Sequence, residues 1–181
     1  LAIMDWTDQG IVLSARRHGE SSVILSLLTA EHGRHAGLVR GGAGRRQRGS
    51  LQPGNLVTAT WRARLEDHLG NFTVELLRNP SASWLDDVAR LAALSAACTI
   101  ADQTLPEREP SDSIFAGLLH LFAAMEDTGG GADWAVAYVE WELALLGELG
   151  FGLDLSACAA TGQNDGLAFV SPRSGRAVSS S

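Results

Sequence analysis

Residues 10–28 have the sequence GIVLSARRHGESSVILSLL, in which two short apolar runs flank one polar turn. The runs, residues 10–15 and 22–28, are rich in residues that favour β-strands, and the His-Gly-Glu sequence at 18–20 can form the turn between them. The stretch therefore predicts two β-strands joined by a turn at the start of the fold.

Three further segments within the first eighty residues have the same character. A turn at residues 31–34 precedes the first of them, and Pro53-Gly54-Asn55 is a strong turn signal before the second. The predicted strands are residues 35–39, 56–64 and 71–77, the last with Phe72, Val74 and Leu76 on one face. Five short strands fit a small barrel, and the oligonucleotide-binding (OB) fold is the five-stranded case.

Beyond Pro80 the pattern becomes helical. Ser81 or Ser83 is expected to cap a helix over residues 84–104, whose small side chains would let a neighbouring helix approach closely. Ser111 is expected to cap a second helix, which would end at the glycines of residues 129–131.

A third helix is expected to begin at Asp133 and to end at Gly150. Its aromatic residues Trp134, Tyr138 and Trp141 are assigned to the core, with a groove for a partner peptide as the alternative. The tail from Phe151 predicts turns and a hairpin. The predicted fold class is α+β: an OB-fold barrel in residues 1–80, then a helical domain in residues 81–181 that ends in a short hairpin segment.

Charge is distributed unevenly along this acidic chain, whose formal net charge is −7. Residues 1–80 contain ten Arg and seven Asp or Glu, whereas residues 81–181 contain four Arg and fourteen Asp or Glu. The asymmetry favours two modules with different partners, although solvated helix faces would also account for it. All 14 basic residues are Arg, so any mechanism that needs a catalytic lysine is excluded.

The basic residues of the first half concentrate around residues 41–49, GGAGRRQRG. Forked, permanently charged guanidinium groups fit phosphate oxygens, and glycine lets a loop approach a ligand closely. The candidate nucleic-acid-binding residues, expected to contact phosphates, are Arg34, Arg40, Arg45, Arg46, Arg48, Arg62 and Arg64. The alternative is a flexible, solvated hairpin. Trp61, immediately before Arg62, is assigned to the core rather than to a base-stacking platform.

No catalytic, cofactor or metal site is predicted. The glycine-rich loop lacks the Gly-Lys-Ser/Thr of a phosphate loop, and its glycine spacing does not match a dinucleotide fingerprint. His32, His35 and His68 match no metal-ligand spacing and are assigned to turns and strand surfaces. We expect no secretory signal, and no apolar run approaches the ~20 residues that span a bilayer.

Several segments, in order and spacing, resemble the RecO family of bacterial recombination mediators. They are residues 10–13, 18–22, 28–34, 39–42, 51–55, 142–155 with Cys158, and 170–178. The resemblance implies an OB fold, a helical domain, binding of single- and double-stranded DNA, and strand annealing. It also implies binding to RecR and to the C-terminal tail of single-strand-binding protein, an indirect action on RecA, and a cytoplasmic, nucleoid-associated location.

Two departures from the family pattern qualify the resemblance. Thr161 and Ser179 occupy positions where some members have zinc-binding cysteines, so no zinc is expected. The chain ends where the family continues into further helix, so we expect a C-terminally truncated form. An RNA-binding OB protein, or a protein adaptor without nucleic-acid binding, are the alternative functions.

Overall fold

The computed structural model describes residues 4–127 and 133–180, and within them five strands close into a barrel. The strands are β1 (Met4–His18), β2 (Ser22–Thr29), β3 (Gly33–Val39), β4 (Leu56–Ala63) and β5 (Asn71–Arg78). Their order is β1-β2-β3-β5-β4, and β4 closes the barrel on β1. The β3–β5 pair is parallel and joins at Leu38 and Asn71, whereas the other pairs are antiparallel. The predicted OB-fold barrel is confirmed.

Strand β1 is longer than predicted because its first half is held by tertiary pairing. Residues from Met4 to Ile11 pair with β4, from Ala63 back to Leu56. This half carries polar residues such as Asp5 and Gln9, so its sequence has little strand character of its own. Backbone hydrogen bonds to β4 therefore extend β1 well before residue 10, back to Met4, the first residue described.

The barrel interior follows the alternation of its strands. Val57, Ala59 and Trp61 of β4 are at most 1% exposed, and Phe72 of β5 packs among them. The indole N–H of Trp61 donates to the carbonyl of Leu69 at 3.0 Å, so the core assignment of Trp61 is confirmed.

The remaining elements lie in the β3–β4 connection and after the barrel. They are α1 (Arg45–Arg48), a 3₁₀ turn (Pro80–Ser83), α2 (Val88–Thr104), α3 (Asp112–Glu126), α4 (Trp134–Glu148), β6 (Leu167–Val170) and β7 (Ala177–Ser179). The expected start of α2 at Trp84 is wrong. The Asp87 carboxylate accepts from the Arg90 N–H at 3.0 Å and caps the helix, because aspartate is as strong an N-cap as serine.

Helices α3 and α4 pack as an antiparallel pair, since Ser113 near the start of one meets Glu148 at the end of the other. Asp133, where this helix was predicted to begin, is its N-cap and accepts from the Ala135 N–H at 3.0 Å. Trp141 is 2% exposed and belongs to the core, whereas Trp134 and Tyr138 pack half-buried against it. The predicted end of α3 at residues 129–131 lies outside the described residues.

A second core lies between the barrel and the helices. Leu94, Ala97 and Ala101 of α2 pack in one cluster with Ile11 and Leu28 from the outer surface of the barrel. The small residues of α2 therefore pack mainly against β1 and β2 of the barrel, rather than against the neighbouring helix expected from the sequence. The division into domains at residue 80 stays a prediction.

Asp102 of α2 holds the helix to three strands of the barrel. Its carboxylate accepts from the hydroxyl of Ser14 on β1 at 2.7 Å and from that of Ser26 on β2 at 2.5 Å. The guanidinium of Arg34, on β3, lies 3.7 Å from the same carboxylate. A register shift in β1 at Leu13 turns both Leu13 and Ser14 towards α2.

The segment between α2 and α3 lies along the open edge of β3. The Arg108 N–H donates to the Arg34 carbonyl at 2.8 Å, and the Arg34 Nε donates to the Leu105 carbonyl at 2.7 Å. Gly33 has a φ of +64°, and a Cβ there would overlap the backbone of Glu109. This edge is open because β3 meets β5 only at Leu38, so the segment acts as a partial extra strand.

Candidate nucleic-acid interface

The basic loop after β3 is compact rather than a simple hairpin. Gly41 turns the chain with a φ of +70°, and one helical turn, α1, follows Gly44. The side chains of Arg45, Arg46 and Arg48 are exposed. No carboxylate of the described residues lies within 4.0 Å of these three guanidinium groups. Their charges are therefore available to an external anion.

Two clefts flank α1. The first, of about 340 Å³, has Arg17 and Arg48 beside an apolar floor that includes Val23 and Leu51. The second, of about 310 Å³, includes Arg40 and the polar side chains Gln47, Asn71 and Thr73. Neither cleft has a carboxylate in its lining, whereas three other clefts in the described chain each contain one or more. The two clefts and α1 thus form one basic surface.

The basic surface continues across the barrel through Asn71. Arg40 donates from Nε to the side-chain oxygen of Asn71 at 3.2 Å, and Asn71 pairs with Arg62 on β4. Arg62 is 67% exposed and lies 3.7 Å from Asp5, and water strongly screens the attraction between the two charges. Arg64 lies exposed just beyond the end of β4. Six of the seven predicted arginines therefore lie along α1 and the adjoining strands.

Arg34 is placed apart from the other six. Its guanidinium binds the carbonyl of Leu105 and lies 3.5 Å from Glu107 and 3.7 Å from Asp102. Its side chain is 17% exposed. These contacts give Arg34 an intramolecular role in joining the barrel to the helices, and its geometry does not favour a phosphate contact.

Arg17 belongs to the basic surface but is absent from the predicted set. It lies near the tip of the β1–β2 hairpin and lines the same cleft as Arg48. Its guanidinium also donates to the Glu20 carbonyl at 3.1 Å. The signal in the sequence is the Arg16-Arg17 pair just before the turn, because the first loop of OB folds commonly contacts oligonucleotides.

The face that OB folds most often use is partly covered here. On the outer surface of β2 and β3, Ser26 and Arg34 contact Asp102, and Leu28 packs in the core with α2. Oligonucleotides commonly lie across this face in other OB folds. The helices therefore leave the α1 side of the barrel as its open basic surface.

The assignment of His35 to the surface is wrong, because its side chain lies inside the barrel. It is 4% exposed and lies edge-on to Trp6, Trp61 and Phe72. Burial, with smaller effects from Arg108 and His32, lowers the pKa of His35 to about 4. The imidazole is therefore neutral at pH 7. The inward-facing positions of β3 before Val39 are Gly33, His35 and Gly37, so the sequence offered no apolar alternation from which this burial could be recognised.

Protonation of His35 should make the fold sensitive to acid. The unfolded chain takes up this proton near pH 6.5 and the folded chain only near the lowered pKa of about 4, so stability falls as pH drops through that window. Urea unfolding should show a loss of about 2 to 3 kcal/mol between these limits. His35→Gln should flatten this part of the profile and His120→Gln, on the exposed side of α3, should not. Parallel profiles for all three proteins would contradict the assignment.

The tail forms the expected hairpin, and the environment of Cys158 does not suit zinc. The Cys158 Sγ accepts hydrogen bonds from the N–H and hydroxyl of Ser179 at 3.3 and 3.4 Å. Hydrogen bonds from Ser179 and Thr161 lower the pKa of this thiol to about 6. Structural zinc needs four cysteine or histidine ligands, and this cluster offers one sulfur and hydroxyls. The absence of zinc stays a prediction.

The fold and the basic surface define an α+β protein with an N-terminal OB-fold barrel, and the comparisons with known proteins agree. Two family models match the chain: "Recombination protein O N terminal" over residues 4–80 and "Recombination protein O C terminal" over residues 85–181. Within the described residues, no helix has the length and apolar character needed to cross a membrane.

Curated relatives match nearly the whole chain. The DNA repair protein RecO of Rhodospirillum rubrum is 57% identical over 178 residues, which cover 97% of this chain and 71% of the relative. The RecO proteins of Rhodospirillum centenum and Cereibacter sphaeroides are 55% and 52% identical, covering 97% and 98% of this chain and 70% and 72% of the relatives. The chain belongs to the RecO family, and its homologues indicate a function in DNA repair and recombination.

Proposed function

We propose that the chain is a nonenzymatic mediator of DNA repair and recombination that binds single- and double-stranded DNA and anneals complementary strands. The observation that carries the proposal is the basic surface formed by α1 and its two carboxylate-free clefts. Phosphate contacts position a nucleic acid without reading its sequence, which suits a protein that must act on any strand.

The proposed phosphate contacts are Arg40, Arg45, Arg46, Arg48, Arg62 and Arg64, with Arg17 added from the structure. They lie on the barrel, whereas residues 81–181 contain fourteen carboxylates against four arginines. The helical region would repel a polyanion, so DNA should approach from the α1 side.

The proposed partners are RecR and the acidic C-terminal tail of single-strand-binding protein, with an indirect action on RecA. The support for these partners is membership of the family. A cytoplasmic location at the nucleoid follows from the proposed DNA substrate.

Fluorescence anisotropy with labelled oligonucleotides tests the proposal. With seven phosphates contacted on single-stranded DNA, log affinity should fall with log salt at a slope of about −5, at ~0.7 per phosphate. Duplex DNA should bind with a comparable salt dependence, and repeating the titration with RecR or single-strand-binding protein should give larger complexes.

Competition with RNA of the same sequence separates the main alternative, because RNA-binding proteins can use the 2′-hydroxyl. Stronger competition by RNA than by DNA would favour an RNA-binding protein. No salt-dependent binding to either polymer would contradict the proposal and favour a protein adaptor.

A further inference from the structure

Three stacked rings run from the barrel core to the surface. Trp6 stacks on buried Trp61 with ring centroids 5.8 Å apart and on His32 with centroids 4.0 Å apart, the latter pair only 7° from parallel. His32 ends the stack with 32% of its side chain exposed. The Asp8 carboxylate lies 3.2 Å from His32 Nδ1 and holds the ring in this orientation.

The stack forms one wall of a cleft of about 280 Å³ that contains unsatisfied polar groups. His35 lines the cleft, and neither of its ring nitrogens has a hydrogen-bond partner among the described residues. A neutral imidazole offers one donor and one acceptor, and leaving both unused inside a protein is costly. Arg108 also lines the cleft, but its guanidinium donates to the carbonyls of Glu66 and His68.

The stack suits a flat aromatic ligand, because a further ring can extend it beyond His32. The ring nitrogens of His35 are buried at the core end of the stack and lie out of reach of such a ring. A phosphate is disfavoured, because Glu31 and Glu66 line the same cleft. The ligand should therefore carry its negative charge outside the cleft.

The basic surface ends beside this cleft. Arg62 and Arg64 follow Trp61, whose ring lines the cleft, and both arginines are exposed. A strand whose phosphates follow these arginines can turn a base towards His32. The geometry favours a nucleic-acid base over an aromatic side chain of a protein, because an anionic backbone matches the adjoining arginines.

We propose that the cleft lined by Trp6, His32 and His35 binds one base of single-stranded DNA, stacked on the exposed face of His32. The proposal rests on the proposed DNA binding and adds a base-dependent contact to it. In other single-strand binders, stacking on aromatic side chains contributes to each bound base without reading the sequence.

The test compares an intact single-stranded oligonucleotide with one of equal length that carries abasic sites throughout. His32→Ala should weaken binding of the intact strand about fivefold or more and leave binding of the abasic strand unchanged. His32→Phe keeps a ring on Trp6 and should retain most of the intact-strand affinity. His120→Ala, on the exposed side of α3, is the control and should change neither.

The salt dependence distinguishes the two proposals. His32→Ala should keep the wild-type slope, since it removes no phosphate contact. Equal affinity of the wild-type protein for intact and abasic strands, with the slope preserved, would overturn the base site and leave DNA binding intact. Loss of all oligonucleotide binding in the wild type would overturn both proposals.

Discussion

Replacing Arg45, Arg46 and Arg48 together by glutamate is expected to weaken binding of single-stranded DNA on the order of 100-fold at moderate salt, at about 1 kcal/mol per lost contact. The three side chains are exposed on α1 between two carboxylate-free clefts, so each guanidinium is open to a phosphate. The slope of log affinity against log salt should become shallower by about 2, at ~0.7 per phosphate.

Anisotropy titrations over a range of salt concentrations measure both quantities. Arg173→Glu, in the turn between β6 and β7, introduces the same charge change per site away from the barrel and should leave the slope unchanged. A triple glutamine variant separates loss of contacts from added repulsion and should show the same change of slope. Wild-type affinity and slope in the triple glutamate variant would contradict the assignment of α1.

Replacing Asp102 by alanine is expected to lower the free energy of unfolding by about 3 kcal/mol, since hydrogen bonds to a charged group each contribute about 1.5 to 3 kcal/mol. The substitution leaves the hydroxyls of Ser14 and Ser26 without their acceptor, and Ser26 is 3% exposed. It also removes the carboxylate that lies 3.7 Å from Arg34. The helices should therefore hold less firmly to the barrel.

Urea unfolding measures this loss, and Glu107→Ala is the matched control. Glu107 also faces Arg34, at 3.5 Å, but its side chain is 55% exposed, so its removal should cost less than about 1 kcal/mol. Replacing Ser14, Ser26 and Asp102 together by alanine should cost less than the separate losses combined, because no buried hydroxyl is then left unpaired. Equal stability of Asp102→Ala and Glu107→Ala would contradict the role of Asp102.

Local sequence pattern was enough to recognise the barrel strands. Alternating apolar residues, as in Val57, Ala59 and Trp61, bury one face of a strand, and glycine-rich turns separate the strands. The cap of α4 at Asp133 was also recognisable, since capping depends on a few adjacent residues. Asp87 was missed as the cap of α2 because two serines nearby could serve equally well.

The candidate site was only partly predictable. A cluster of arginines in the β3–β4 connection is visible in the sequence, because charge concentration needs no knowledge of folding. Which arginines remain free to contact a phosphate depends on the tertiary structure. Arg34 and Arg40 are close in sequence, yet one is held by Asp102 and the Leu105 carbonyl and the other lies in the cleft beside α1.

By itself, the sequence determined the strands, the helical second half and the concentration of positive charge near α1, because each depends on residues close together along the chain. Tertiary structure alone decided the pairing of the first half of β1, the burial of His35 and the covering of the β2–β3 face by α2. Each of these depends on pairing or packing between distant residues, such as Met4 with Ala63 or Ser26 with Asp102. Closure of the barrel brings those partners together, and the α1 side is consequently left open.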